Sequence, residues 1–98
     1  MDDVTDIINN IFIEWKKEYN YTRRQINNGE CLEFANEVIT RQSNVEMMRT
    51  GDVLGYDDQY DVEPFHVWVY DGQYHYDVEE PDGVEEWNEL PFFKRCGF

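Results

Sequence analysis

Cysteine, histidine and aspartate, the residue types that together form a thiol-based acyl-transfer site, occur here in that order as Cys31, His66 and Asp77. A cysteine attacks carbonyl carbons as the thiolate, which a helix N-terminus and a nearby imidazolium both stabilise. A carboxylate beside the imidazole fixes its tautomer and stabilises its cation. The backbone N–H of Cys31 and the side-chain amide of Gln25 are candidate donors for the oxyanion. We therefore predict Cys31, His66, Asp77 and Gln25 as catalytic residues.

Two amphipathic helices are predicted in the first half of the chain, and the second of them positions the cysteine. Apolar residues recur at three- and four-residue steps over residues 4–19. Residues 20–29 break this period and predict a turn, with Asn28 as the N-cap of a helix from about Glu30 to Gln42. This phase puts Cys31 in the first turn of the second helix, on its inward side.

A β-hairpin is predicted over residues 65–78, because Asp71-Gly72 separates two runs of aromatic and β-branched residues. A two-residue loop sets the register so that opposed residue numbers sum to 143, which places His66 opposite Asp77. Directly opposed side chains have Cβ atoms roughly 4.5–5.5 Å apart. One face of the hairpin is predicted to be core and the other to be polar or to line a groove. If the register slips, His75 on the polar face becomes the alternative base.

The remaining segments give weaker patterns that complete one domain over residues 1–98. Residues 43–51 are ambiguous, residues 52–56 predict a short strand, and residues 57–64 predict an acidic loop. Pro81-Asp82-Gly83 predicts a turn, and Phe92 and Phe93 predict a last strand or tail that closes the core. The expected fold class is α+β, with N-terminal helices packed on a short antiparallel sheet of about three to five strands.

The candidate residues lie in short motifs that resemble a known superfamily. The run Gly29-Glu30-Cys31-Leu32-Glu33-Phe34-Ala35 resembles the segment around the nucleophile of papain-like cysteine peptidases, and the spacing from Gln25 to Cys31 resembles that of their oxyanion glutamine. His66-Val67-Trp68-Val69 and Tyr76-Asp77 resemble the histidine and aspartate strands of transglutaminase-like and NlpC/P60-type enzymes. The run from Tyr76 to Val84 is similar to small phage and prophage proteins of this type.

This resemblance implies a minimal papain-like core and a peptidase, amidase or transglutaminase-like activity on a peptide, amide or isopeptide substrate. It implies no cofactor. Two positions depart from the papain pattern: Leu32 replaces the aromatic residue after the nucleophile, and the third residue is Asp77 instead of asparagine.

Charge limits the partners of the protein. The chain has 22 acidic and 8 basic residues, giving a net charge of -14, and no Lys or Arg occurs between Arg49 and Lys94. Such a surface repels phosphate backbones, which argues against direct nucleic-acid binding. The charge either serves solubility alone, the first interpretation, or fits a cationic substrate or a basic partner. The alternative function is therefore a non-catalytic acidic protein, such as a phage-encoded one, that binds a basic host protein or mimics nucleic acid.

Metal, disulfide and membrane functions are not predicted. Cys31, His66, His75 and Asp77 are zinc-competent residue types, but they lack paired short spacings, and residues 57–63 fail the calcium-loop pattern at Val62. Two cysteines are too few for a disulfide scaffold. The chain has no apolar run long enough to cross a bilayer, and its start, Met1-Asp2-Asp3, is acidic. We therefore expect a cytoplasmic protein with no membrane partner.

Overall fold

A computed structural model describes residues 3–55 and 65–98 as an α+β fold, which confirms the predicted class. The predicted acidic loop at 57–64 lies outside the described residues. The strands form one antiparallel sheet in the order β1-β2-β3-β4. The elements in chain order are α1 (Val4–Tyr19), α2 (Arg23–Gly29), α3 (Cys31–Arg41), β1 (Glu46–Arg49), α4 (Thr50–Leu54), β2 (Val67–Tyr70), β3 (His75–Asp77), β4 (Glu80–Val84) and α5 (Pro91–Arg95), with a 3-10 turn (Trp87–Glu89) before α5.

Helices α1 and α3 follow the predicted periodicity closely, but the turn predicted between them is wrong. Residues 23–29 form helix α2, which starts at a capping box: the Thr22 hydroxyl accepts from Gln25 N, and the Gln25 side chain accepts from Thr22 N. This box satisfies two backbone donors and outweighs the turn tendency of the following residues. Asn28 therefore lies inside α2, and the N-cap position of α3 is Glu30.

The hairpin forms, but its predicted register is wrong by two residues. Val69 pairs with Tyr76 and Tyr70 pairs with His75, so opposed numbers sum to 145. The reason is the Asp71 carboxylate, which accepts hydrogen bonds from the backbone N–H groups of residues 73 and 74 and stabilises a longer loop. Of the two predicted turn residues, only Gly72 has a positive φ, +98°. A shift of two preserves the alternation of side chains, so each residue remains on its predicted face.

Both faces of the two central strands, β2 and β3, are largely buried. Val67, Val69, Tyr76 and Val78 pack in the core with α1 and α3, as predicted. The opposite face, predicted to be polar or to line a groove, is instead covered by the C-terminal segment, which packs Leu90, Phe92 and Phe93 against Trp68. Aromatic residues at the end of the chain thus return over the sheet and remove its second face from water.

Three further local predictions are wrong. Residues 50–54 form helix α4, not a strand. Pro81-Asp82-Gly83 lies within β4, where Gly83 has a φ of +86°. Phe92 and Phe93 lie in the short helix α5, which begins at Pro91, a residue that suits the first position of a helix. Among the described residues, no helix is both long and apolar enough to cross a membrane.

Candidate active site

His66 and Asp77 form a buried hydrogen-bonded pair. The His66 Nε2–H donates to Asp77 Oδ2 at 3.0 Å, and the two residues are 0% and 5% exposed. If the observed register is continued by one pair beyond Val69 and Tyr76, Asp77 lies opposite Trp68. His66 is then the diagonal neighbour of Asp77 on the same face. Diagonal neighbours on one face lie about 7–8 Å apart, a distance that an imidazole and a carboxylate bridge. The predicted pair therefore forms, although by a different geometry from the predicted one.

The Asp77 carboxylate is held by its own turn. Its Oδ1 accepts hydrogen bonds from the backbone N–H groups of Glu79 and Glu80, both at 2.9 Å. With the bond from His66, the carboxylate accepts three hydrogen bonds, which fix its position. Asp77 is therefore oriented as a fixed acceptor toward the imidazole.

The His66 ring is held by aromatic packing as well as by hydrogen bonds. It stacks on Phe92 with ring centroids 4.2 Å apart and planes inclined by 15°, and Phe93 approaches it edge-on at 5.6 Å. Its backbone is fixed to Thr50, whose hydroxyl accepts from His66 N at 2.9 Å. The C-terminal helix α5 thus shields the imidazole from water and holds it in one orientation.

The other ring nitrogen of His66 is left for Cys31. Nδ1 is buried and makes no hydrogen bond of standard geometry within residues 3–55 and 65–98. Burial lowers the pKa of His66, but the hydrogen bond to Asp77 and the interaction with the nearby Cys31 thiol group outweigh burial, so that this pKa lies above its ordinary value. Nδ1 is therefore the ring nitrogen available to the thiol, and hydrogen bonds between catalytic groups often tighten only when a substrate binds.

Cys31 is the first residue of α3, as the sequence predicts to within one position. It is 9% exposed, and the N-cap residue Glu30 places no side chain on the backbone N–H groups of this helix end. These N–H groups carry the positive end of the helix dipole. Cys31 and Asp77 line the same small cavity, which has a volume of about 10 Å³. That space holds about one water.

No family model, curated protein or solved structure matches the chain. The chemistry of the site therefore follows from its own geometry. A thiol at a helix N-terminus, an imidazole whose second nitrogen has no hydrogen bond and a fixed carboxylate form a relay in which His66 lies between the other two groups. Such a relay can take the thiol proton and stabilise the imidazolium that results.

The structure does not bring Gln25 to this relay. Gln25 is exposed, and its Oε1 accepts from Thr22 N at 2.8 Å in the capping box that starts α2. It is not among the residues that line the cavity beside Cys31. The predicted oxyanion role of Gln25 is therefore corrected: its carboxamide caps a helix at the surface.

Asn27 lies where the sequence analysis placed no functional residue. It is 3% exposed and lines the cavity together with Cys31. Its Nδ2 donates to Glu79 Oε1 at 3.0 Å, and Arg95 holds both oxygens of Glu79 at 2.7 Å. Burial raises the pKa of Glu79, but the bonds from Arg95 and Asn27 lower it below its ordinary value. The one signal in the sequence was proximity, since Asn27 lies only four residues before Cys31, near the end of the preceding helix α2.

His75, the alternative base, has a structural role. Its Nδ1 accepts from the Trp68 indole N–H at 2.9 Å, and its ring stacks on Tyr70 with centroids 4.4 Å apart. Burial lowers the pKa of His75 and favours the neutral ring that this bond requires. Within the described part of the chain, no group of three or more His, Cys, Asp or Glu side chains is arranged to hold a metal ion.

Proposed function

We propose that this protein is a thiol-dependent acyl hydrolase or transferase, of the papain-like or transglutaminase-like type that its motifs resemble. Cys31 is the nucleophile, His66 the general base and acid, and Asp77 the carboxylate that orients His66. One observation carries the proposal: a fully buried His66 donates from Nε2 to Asp77 and keeps Nδ1 free beside Cys31. A purely structural histidine of this burial would be expected to use both ring nitrogens.

The first half of the reaction follows from the tautomer of His66. Because the Nε2 hydrogen points at Asp77, the lone pair of Nδ1 is available to take the proton of the Cys31 thiol. The thiolate attacks the carbonyl carbon of the substrate, an S–C bond forms, and the carbonyl electron pair moves to oxygen. The carboxylate stabilises the imidazolium during this step.

The second half returns the proton and regenerates the thiol. The C–N bond breaks as the oxyanion collapses, and the leaving amine takes the proton from Nδ1 of His66. The acyl group then rests on Cys31 as a thioester. Attack by water gives hydrolysis, whereas attack by a second amine gives transfer, and His66 takes a proton from either nucleophile. The C–S bond then breaks, and the departing Cys31 sulfur takes that proton back from His66.

The test is acylation by a small activated ester, because the cavity beside Cys31 is narrow. With 4-nitrophenyl acetate we expect release of 4-nitrophenolate and an acetyl group on Cys31, seen by intact mass and peptide mapping. Cys31→Ser removes this reaction, whereas Cys96→Ser, a change at an exposed cysteine outside the site, does not. In parallel, iodoacetamide at mildly acidic pH should modify Cys31 faster than Cys96, and the preference should disappear after unfolding. Equal labelling of both thiols in the folded protein, without acylation, contradicts the proposal.

The second candidate is an acidic interaction protein without catalysis. It is favoured by the net charge of -14 and by the small size of the cavity beside Cys31. Such a protein binds a basic partner with an affinity that falls steeply with salt, and this binding is unaffected by Cys31→Ser. Salt-sensitive binding to polylysine, together with no acylation of Cys31, would favour this function over the first.

A further inference from the structure

The proposed reaction needs a side-chain donor for the oxyanion, and the structure offers one that differs from the predicted residue. A negatively charged oxygen develops next to the Cys31 sulfur, at a cavity that has room for about one water molecule. Stabilising it requires donors that already point at that position. The backbone N–H of Cys31 at the start of α3 supplies one, because the first N–H groups of a helix have no intrahelical acceptor.

Asn27 meets three requirements for the second donor. Its side chain lines the cavity that Cys31 also lines, and the residue is almost fully buried, at 3% exposure. Its orientation is defined, because Glu79 is a carboxylate and can only accept, so the amide nitrogen must be the atom that faces it. The bidentate bond from Arg95 in turn immobilises Glu79. A carboxamide carries two N–H hydrogens, and the bond to Glu79 uses one of them.

We propose that Asn27 is a catalytic residue whose second amide N–H, together with the backbone N–H of Cys31, stabilises the oxyanion in the acyl-transfer reaction. Glu79 and Arg95 act as positioning residues, because they hold the Asn27 amide without contacting the substrate. This inference rests on the proposed function of Cys31, His66 and Asp77, and it assigns the oxyanion role to Asn27 in place of Gln25.

The experiment separates two reactions of the same thiol. Acylation of Cys31 by 4-nitrophenyl acetate places negative charge on the carbonyl oxygen before 4-nitrophenolate leaves. Alkylation by iodoacetamide forms an S–C bond and releases iodide without charge on an oxygen. An oxyanion donor therefore affects only the first reaction, whereas a residue that merely supports the fold affects both. Asn27→Ala is compared with Asn28→Ala, the matched change at the next, exposed position of α2.

We expect Asn27→Ala to slow acylation by about 100-fold, the lower end of the loss for one oxyanion donor, with an unchanged alkylation rate. Asn28→Ala should leave both rates unchanged. If Asn27→Ala does not fold, as judged by circular dichroism, Asn27→Leu gives the same comparison, because leucine is close to asparagine in size and donates no hydrogen bond.

Three results overturn the inference. The first is an equal loss in both reactions, which would make Asn27 a structural residue. The second is an acylation rate that survives in Asn27→Ala, and the third is a loss of acylation that follows Gln25→Ala instead. Failure of the proposed function is distinguishable from all three, because the wild-type protein itself would then show no acylation of Cys31.

Discussion

Replacing Asp77 by asparagine changes one atom in the relay and should invert the tautomer of His66. Asp77 Oδ1 accepts from two backbone N–H groups, whereas Oδ2 accepts from His66 Nε2. In Asp77→Asn only one of the two positions can be an oxygen. Either the amide nitrogen faces two backbone donors, or it faces His66.

The hydrogen-bond count decides between these orientations. Turning the amide nitrogen toward Glu79 N and Glu80 N leaves two donors unsatisfied, at about 1–3 kcal/mol each, or roughly 2–6 kcal/mol together. Turning it toward His66 keeps both backbone bonds, provided that Nε2 becomes the acceptor. The ring hydrogen then moves to Nδ1 and points at Cys31. In this tautomer His66 cannot take the thiol proton, and the wrong tautomer costs a triad about 10⁴-fold in rate.

Two measurements check this reasoning. The rate of Cys31 acylation by 4-nitrophenyl acetate should fall by about 10⁴-fold in Asp77→Asn. The ¹⁵N chemical shifts of the His66 ring should report hydrogen on Nδ1 in the variant and on Nε2 in the wild type, at a pH where the ring is neutral. Asp82→Asn, at an exposed aspartate on β4, makes the same change of charge away from the relay and is the control.

A variant that stays folded and acylates within threefold of the wild type would refute the argument. So would a large loss of rate in which the ring hydrogen remains on Nε2. In that case the carboxylate would act through its charge alone, and the hydrogen-bond count at Oδ1 would be irrelevant to catalysis.

Three further predictions concern stability. Because the pKa of His66 is raised on folding, protonation of His66 stabilises the protein fully below the unfolded pKa of about 6.5, and this stabilisation is lost as the pH rises through the folded pKa. Urea unfolding should therefore show that the stability advantage of the wild type over His66→Gln shrinks between these two pH values. A constant difference in stability would contradict this prediction. Gly72→Val should destabilise the fold by about 1–2 kcal/mol, since φ at this position is +98°. Gly29→Ala should not destabilise it, because no atom lies within 4 Å of the added Cβ. Equal melting temperatures for the two variants would show that the hairpin loop tolerates a side chain. Gly83→Ala should cost about 2–4 kcal/mol, because its Cβ would lie 2.7 Å from the Tyr76 ring at a φ of +86°, and thermal melting within one degree of wild type would disprove this contact.

Elements governed by local rules were predictable from the sequence. The apolar period of α1 and α3 placed Cys31 at a helix start to within one residue. Helix α2 was predictable in principle, because Thr22 and Gln25 stand at capping-box spacing. The turn tendency of Asn27-Asn28-Gly29 concealed it, and with it the buried position of Asn27.

Elements that depend on distant contacts were not predictable in this way. The hairpin register depended on whether the Asp71 side chain would accept from the loop backbone, which dipeptide statistics do not report. The second face of the sheet is covered because Phe92 packs on His66, and these two residues are 26 positions apart in the sequence. The pairing of His66 with Asp77 survived the error in register because a two-residue shift preserves the face.

The turn that holds Asp77 has a consequence for when the site is assembled. The backbone N–H groups of Glu79 and Glu80 bind the same carboxylate that receives the His66 hydrogen, so closing this tight turn also aims the acceptor. Hairpins form within about 1–10 μs, far faster than the docking of separate segments. His66 and Asp77 are thus brought together by one hairpin and the turn that follows it, whereas the thiol lies on α3, in another part of the chain. The three groups can meet only when α3 packs against the sheet, so a change that loosens this packing would separate Cys31 from His66 and leave the pair of His66 and Asp77 intact.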